Sequence, residues 1–189
     1  MLKILGNLLG LGFCASACMS SGAELEVRIE TVERANEPAK LARAGDAFAA
    51  VGDYTRAEQY YNLAVENGSN ELELVPRLIR VCVRDQRYRD AIQYSEQHLR
   101  KYPQNHGVRF LLASLELGVG DTERAKGNLE RVLEARPNHA DAHYTLAVLY
   151  RDDLADFSAA DQHFRAYLRL EPRGSHAQEA HGSLLTELQ

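Results

Sequence analysis

Residues 38–71 decide the fold, and they read PAKLARAGDAFAAVGDYTRAEQYYNLAVENGSNE. The alanine at position 57 of this stretch returns at intervals of 34, 34 and 35 residues, as Ala57, Ala91, Ala125 and Ala160. A proline recurs at intervals of 34 and 35 residues, as Pro103, Pro137 and Pro172. A period of about 34 residues is typical of helix-turn-helix units that bury one face only by stacking on their neighbours. The sequence therefore predicts an extended, all-α array of stacked helix pairs.

One unit of this array is predicted to contain two helices, residues 39–51 and 54–66, with a break at Gly52-Asp53 between them. Both segments carry apolar or small residues at helical spacing on one face. These inward residues are Leu41, Ala44, Gly45, Phe48, Ala57, Tyr61 and Ala64. Because small side chains let two backbones approach and large ones fill the remaining space, we expect the two helices to pack closely.

This pattern resembles the tetratricopeptide repeat, whose profile combines a bulky residue, a Leu-Gly pair, an aromatic, a turn, an Ala-aromatic-Ala series and a proline. Four consecutive units keep several of these positions: 38–71, 72–105, 106–139 and 140–174. The matching residues of the later units are Leu78, Tyr88, Ala91 and Pro103; Leu112, Ala113, Gly120, Asp121, Ala125, Leu129 and Pro137; and Leu146, Ala147, Tyr150, Ala160, Phe164 and Pro172. The second unit departs from the profile, with Ile79 and His98 where the family has small residues. The resemblance implies an α-solenoid of four repeats.

The C-terminal residues 175–189 are predicted to form a capping helix. After Gly174-Ser175, the segment from His176 to Leu188 has small or apolar residues on one face. These residues are Ala177, Ala180, Leu184 and Leu188. Repeat arrays need a terminal cap with a polar outer face for solubility, and this helix would supply it.

The first 17 residues differ in composition from the repeats and predict a signal peptide. Met1-Leu2-Lys3 is a short positive start, residues 4–13 are predominantly apolar, and Ala15-Ser16-Ala17 is a small-residue cleavage site. An apolar stretch of this length is shorter than the roughly 20 residues that a membrane-spanning helix needs. We therefore expect an exported chain rather than an integral membrane protein.

Cys18 follows the small residues, and the segment resembles a bacterial lipoprotein signal. The resemblance implies that Cys18 carries fatty acyl chains such as palmitate, that residues 18–37 form a lipidated tether, and that the protein faces the periplasm from the outer membrane. The alternative lipidation site Cys14 is preceded by bulky Phe13, so Cys18 is favoured. Two other interpretations stay open: cleavage after Ala17 to give a soluble exported protein, and a buried N-terminal helix.

Composition and motifs argue against several classes of function. With a net charge of -5 and a pI near 5.8, the chain lacks the surplus of Lys and Arg that nucleic-acid binding requires. The strongest metal-like pattern is His139-Ala140-Asp141-Ala142-His143, but it lacks a third ligand. His139 and Asp141 are expected in the loop between repeats, and His143 is expected to pack inward. Cys82 is expected to be a small buried hydrophobic residue. We predict neither an enzyme nor a metal or other cofactor.

Binding is the expected use of such an array, because the first helices of successive units line its concave face. On the register of the family, a partner groove is predicted from Arg77, Arg80, Arg84, Phe110, Leu117, Tyr144, Val148 and Arg151. A protein or peptide with acidic and apolar residues would complement this set. Alternatively, the arginines are a solvated face and the aromatic residues belong to the core.

The combination of a lipid anchor and repeats resembles outer-membrane pilotin and assembly lipoproteins of type IV and related pili. This resemblance implies a membrane-anchored scaffold that assists assembly of a pilus secretin. The alternative is a general envelope adaptor for peptidoglycan, outer-membrane assembly or motility machinery.

Overall fold

A computed structural model describes residues 37–185, so the signal peptide, Cys18, the tether up to residue 36 and Leu188 lie outside the described residues. Across residues 37–185 the chain forms nine helices and no strand. The helices are α1 (Pro38–Ala50), α2 (Tyr54–Glu66), α3 (Glu71–Arg84), α4 (Tyr88–Lys101), α5 (His106–Gly118), α6 (Thr122–Ala135), α7 (Ala140–Asp152), α8 (Phe157–Leu170) and α9 (Ala177–Gly182). The all-α architecture predicted from the period is confirmed.

The helices are arranged as four consecutive pairs, α1–α2, α3–α4, α5–α6 and α7–α8, followed by α9. Each helix makes its main contacts with the helix before and after it in the chain, and α9 packs on α8. The core is accordingly a row of small clusters rather than one central mass. This is the quasi-linear organisation of an α-solenoid, in which each unit is stabilised by its neighbours.

The turn inside each of the four helix pairs contains one residue with a left-handed φ angle. Gly52, Gln86, Gly120 and Ala155 adopt left-handed φ angles of 80°, 60°, 81° and 53°. In each turn the following residue donates its backbone N–H to a carbonyl near the end of the preceding helix, for example Asp53 to Phe48 at 2.9 Å. In the first three turns this bond spans five residues, which is the Schellman arrangement that ends helices. In the fourth turn, which has one extra residue, Asp156 donates to the Tyr150 carbonyl six residues back.

The recurring alanines lie at the contacts between helices. Ala57, Ala91 and Ala125 are fully buried, and Ala160 is 2% exposed. In α1, a Cβ at Gly45 would lie 2.5 Å from Tyr61 Cε1, so only a glycine permits this approach of the ring. The close packing of large against small residues predicted for the first unit is confirmed.

The irregular residues of the second unit are part of the core. Ile79 and His98 are 2% and 1% exposed, and Cys82 is fully buried, as predicted. The Nε2 atom of His98 is hydrogen-bonded to Asn105 Nδ2, 2.9 Å away in the loop before α5. Larger residues at these positions therefore fill the space between the second and third units instead of breaking the array.

Two local expectations were wrong. The cap helix is much shorter than predicted, since α9 ends at Gly182, and Leu184 packs on the last core cluster from beyond the helix. Asp141 belongs to the first turn of α7 rather than to a loop. The loop ends at His139, whose Nδ1 accepts the N–H of Ala142 at 3.2 Å and caps α7. Such a cap satisfies a backbone donor that has no partner inside the helix.

Candidate functional site

An open cleft of about 740 Å³ lies where α1, α2 and α3 meet, and we refer to it as the N-terminal cleft. Its lining is Asp46, Ala49, Ala50, Tyr54, Tyr61, Glu73, Pro76, Arg77, Arg80, Val81 and Arg84. The three arginines share one face of α3 because their spacing of three and four residues is close to the helical repeat. Arg77, Arg80 and Arg84, which the sequence analysis assigned to a partner groove, therefore lie together along this cleft.

The arginines of the N-terminal cleft differ in their partners. Arg77 Nη1 donates to both carboxylate oxygens of Asp46, at 3.1 and 2.9 Å, across the gap between α3 and α1. Arg80 and Arg84 are exposed, and neither has a hydrogen bond or ion pair among residues 37–185. Arg80 and Arg84 therefore hold positive charge that is available to a bound partner.

Tyr61 connects the cleft to the core beneath it. Its ring is 2% exposed, and its hydroxyl donates to Asp46 Oδ1 at 2.8 Å. Burial and the Asp46 carboxylate raise the pKa of Tyr61 to about 12, so the hydroxyl stays protonated and holds Asp46 in place. Asp46 in turn fixes Arg77, which leaves Arg80 and Arg84 as the free cationic groups.

The other predicted groove residues lie elsewhere in the array. Phe110 and Leu117 are half-buried against the core of the third unit, and Val148 is half-buried against that of the fourth. The Phe110 ring also packs on His139, with ring centroids 4.8 Å apart. These three residues therefore present only part of their surface, and none lines the N-terminal cleft.

Tyr144 and Arg151 are engaged by the C-terminal segment. The Tyr144 ring stacks on His176 at a centroid distance of 3.9 Å, and its hydroxyl donates to Glu179 Oε2. Arg151 donates to Ser183 Oγ at 2.7 Å and to Glu179 Oε1 at 3.1 Å. The end of the array near α7 is thus occupied by the chain itself, whereas the N-terminal cleft is open.

Sequence reasoning missed the contribution of three cleft residues, Tyr54, Tyr61 and Glu73. Tyr61 was expected only as a core ring, although a buried tyrosine hydroxyl usually needs a polar partner. Asp46, fifteen positions before Tyr61 in the same unit, was the available acceptor. A search for the partner of the Tyr61 hydroxyl could have connected the core to the cleft.

The histidines of the metal-like pattern have structural partners. His143 Nε2 lies 2.9 Å from the carbonyl oxygen of Pro137, and His143 Nδ1 lies 3.0 Å from His163 Nδ1. Since a carbonyl can only accept, neutral His143 carries its proton on Nε2, and His163 then donates from Nδ1. Burial, with the neighbouring His143, lowers the pKa of His163 to about 4. In the part of the chain that the structure describes, no three His, Cys, Asp or Glu residues are grouped to hold a metal ion.

None of the helices within residues 37–185 is both long and apolar enough to cross a bilayer.

Comparison with known proteins adds a family and several relatives. The family model for the tetratricopeptide repeat matches residues 43–106 and 110–175. A tetratricopeptide repeat protein from Parabacteroides merdae is similar in structure, with a TM-score of 0.71 and 24% identity, over 77% of this chain and 58% of its own. YrrB, a tetratricopeptide repeat protein with an unusual peptide-binding site, is similar with a TM-score of 0.67 and 21% identity, over 87% of each chain. At these identities the likeness concerns the fold.

One sequence relative has a stated role. The type IV pilus assembly protein PilF of Pseudomonas aeruginosa is 34% identical to this chain over 80 residues. The match covers 40% of this chain and 31% of PilF. This chain therefore aligns with about a third of the length of that relative.

Proposed function

This chain belongs to the tetratricopeptide repeat family, and from that premise we propose that it is an envelope scaffold, lipid-anchored through Cys18, that helps to assemble a pilus secretin. Its repeats form a scaffold for protein–protein interaction. The partner segment would bind in the N-terminal cleft. The observation that carries the proposal is the pair of exposed arginines, Arg80 and Arg84, that have no partner among residues 37–185.

The lining of the N-terminal cleft indicates what kind of segment would fit. Arg80 and Arg84 favour acidic side chains, because a carboxylate can accept two hydrogen bonds from one guanidinium. Ala49, Ala50 and Pro76 add small apolar surface to the lining of the same cleft. We therefore infer a partner segment in which acidic and apolar residues are mixed, bound through anchors in a preformed groove.

The envelope role has two supports. The likeness to PilF connects part of the repeat region with type IV pilus assembly. The apolar stretch, small residues and cysteine at residues 4–18 are typical of a lipoprotein signal. The proposed location is the periplasmic face of the outer membrane.

The binding part of the proposal can be tested with a charge reversal. The full-length chain would be purified in detergent from the envelope and used to capture the secretin of the same organism. We expect Arg80→Glu/Arg84→Glu to weaken capture by about tenfold or more. The new glutamates would repel the acidic residues of the partner segment, which the arginines attract. A matched control is Arg89→Glu/Arg169→Glu, which reverses two exposed arginines outside the cleft. Equal capture by both double variants would refute the assignment of the cleft.

The anchor is tested separately with radiolabelled palmitate. We expect label in the wild-type chain and in Cys14→Ala, and none in Cys18→Ala. Label that persists in Cys18→Ala would exclude Cys18 as the lipidation site. Capture of a cell-wall hydrolase in place of the secretin would favour the general adaptor instead.

A further inference from the structure

A second open pocket, of about 600 Å³, lies between α4, α5 and α6 and shares no lining residue with the N-terminal cleft. We refer to it as the α4–α6 pocket. Four arginines line it, and three of them come from different helices: Arg100 from α4, Arg109 from α5 and Arg131 from α6. The buried Leu99 and Leu112 also belong to the lining. Three helices of two different repeats therefore bring three guanidinium groups to one concave place.

The charges of these three arginines are not balanced by ion pairs. Arg109 is half-buried, and within residues 37–185 it donates only to neutral acceptors, Asn128 Oδ1 at 3.2 Å and the Pro103 carbonyl at 2.8 Å. Arg100 and Arg131 are exposed, and neither has a hydrogen bond or ion pair among residues 37–185. Burial and the nearby Arg131 both lower the pKa of Arg109, as expected where like charges share a site.

The fourth arginine that lines the pocket, Arg124, is paired with acidic residues, and one of them, Glu96, also lines the pocket. Arg124 Nη2 lies 2.9 Å from Oε1 of the fully buried Glu116, and Arg124 also pairs with Glu96 and Asp121. Glu116 Oε2 accepts from Asn128 Nδ2 at 2.7 Å. Glu123 is exposed at the rim of the pocket. The carboxylates are thus concentrated at the Arg124 end, while Arg100, Arg109 and Arg131 leave the other end positive.

Asn128 orients Arg109 toward the pocket. It is 8% exposed, and its amide is held on one side by Glu116 and on the other by Arg109. With its second bond, to the Pro103 carbonyl, the Arg109 guanidinium is held at two of its nitrogens before any ligand binds. A guanidinium fixed in advance loses less freedom on binding, which favours recognition of an anion.

A glycine keeps the pocket open. Gly127 lies inside α6 and lines the pocket, and a Cβ there would meet no other atom within 4 Å outside its own helix backbone and neighbours. Packing therefore does not require glycine, although glycine in a helix interior costs about 1 kcal/mol relative to alanine. A larger side chain at this position would project into the pocket without disturbing the core.

We propose that the α4–α6 pocket binds a phosphate group, with Arg100, Arg109 and Arg131 around its oxygens. Several guanidiniums suit a phosphate better than a carboxylate, since its oxygens point in three or more directions and its charge is higher. The pocket volume is that of a small-molecule site, so the ligand extends beyond the phosphate onto Leu99 and Leu112. The group could belong to a phospholipid headgroup or to a free phosphate ester. This inference does not depend on the proposed function.

Calorimetric titration of the full-length chain in neutral detergent tests this site with glycerol 3-phosphate, and with acetate as the carboxylate comparison. We expect saturable binding of glycerol 3-phosphate that weakens at least tenfold in Arg100→Gln/Arg131→Gln and in Gly127→Leu. The first variant removes exposed charge, and the second fills the pocket with the charge unchanged. Arg89→Gln/Arg169→Gln, which removes the same charge elsewhere, and Arg80→Glu/Arg84→Glu should both bind like the wild type.

Vesicle sedimentation separates the two sources of phosphate. Stronger binding to phosphatidylcholine vesicles when they contain phosphatidylglycerol, with loss of this increase in Gly127→Leu, would identify a lipid headgroup, because a Cys18 anchor would bind both kinds of vesicle alike. Binding of glycerol 3-phosphate without this vesicle effect would identify a soluble ester. The proposal is overturned if neither probe binds, if acetate binds as tightly as glycerol 3-phosphate, or if Gly127→Leu binds like the wild type.

Discussion

Replacing Gly45 by alanine sets two effects of opposite sign against each other inside α1. Alanine is favoured over glycine in a helix interior by about 1 kcal/mol. The new methyl group, however, would lie 2.5 Å from Tyr61 Cε1 and 2.6 Å from Cδ1, far inside contact distance. The ring cannot move away easily, because it is 2% exposed and its hydroxyl is bonded to Asp46.

The steric effect should dominate. Inserting a methyl group into a well-packed core typically costs about 1–3 kcal/mol, and the fixed Tyr61 ring places this case at the upper end. After the gain in helix propensity of about 1 kcal/mol is subtracted, we expect Gly45→Ala to lower the free energy of unfolding by about 2 kcal/mol. Urea unfolding followed by circular dichroism measures this difference.

Gly127→Ala is the matched control, because its methyl group meets no packed neighbour. We expect it to raise the free energy of unfolding by up to about 1 kcal/mol. In a Tyr61→Leu background the ring is absent, so Gly45→Ala should no longer destabilise, and the double-mutant cycle should report the clash as coupling. If Gly45→Ala stabilised the chain as much as Gly127→Ala does, the packing account of the first unit would be refuted.

Two further predictions concern buried titratable groups. The pKa of His163 is lowered from 6.5 to about 4, so the folded state resists a proton that the unfolded chain accepts. The contribution of neutral His163 to the free energy of unfolding is therefore complete above about pH 6.5. As the pH falls toward 4, up to roughly 3 kcal/mol of it is lost. Urea midpoints between about pH 7 and pH 4 should therefore fall more steeply for the wild type than for His163→Gln, and parallel slopes would contradict this. Burial raises the pKa of Cys82 to about 12, so a thiol reagent at about pH 8 should label it only after unfolding, in a chain with Cys14 and Cys18 replaced by serine. Rapid labelling of that folded chain would show that Cys82 is accessible.

The regular part of the fold could be predicted because its determinants are local and repeat. Ala57 and its equivalents are buried where two helices are in contact, and a small side chain is needed there because a larger one would hold the helices apart. The length of the cap helix was predicted wrongly because this segment is not part of the repeat and has no equivalent elsewhere in the chain. Apolar spacing suggested that it runs to Leu188, but Gly182 and Ser183 end α9, and Leu184 packs without being helical.

The candidate site was only partly visible in the sequence. Arg77, Arg80 and Arg84 share a helix face by spacing alone, so their proximity could be predicted. The contacts of Tyr144 and Arg151 with Glu179 join residues 35 and 28 positions apart in sequence through the path of the chain after α8. No periodic pattern encodes that path.

The α4–α6 pocket had a sequence signal that was overlooked. Glu116 stands among apolar residues on the inward face of α5, where a charge must find partners if it is buried. Asn128 and Arg124 supply those partners from α6. A systematic search for the partners of this carboxylate would have directed attention to α6 and its neighbouring arginines.

The four left-handed turn residues have a consequence for how such a chain can evolve. Two turns use glycine, and two use Gln86 and Ala155 in a conformation that side chains rarely adopt. The backbone hydrogen bond of the turn is nevertheless kept in all four, even though the last turn has one extra residue. The units therefore share a left-handed backbone conformation at the turn rather than a particular residue. Mutation can therefore replace the glycine or lengthen the turn, and the second helix of the unit still packs against the first.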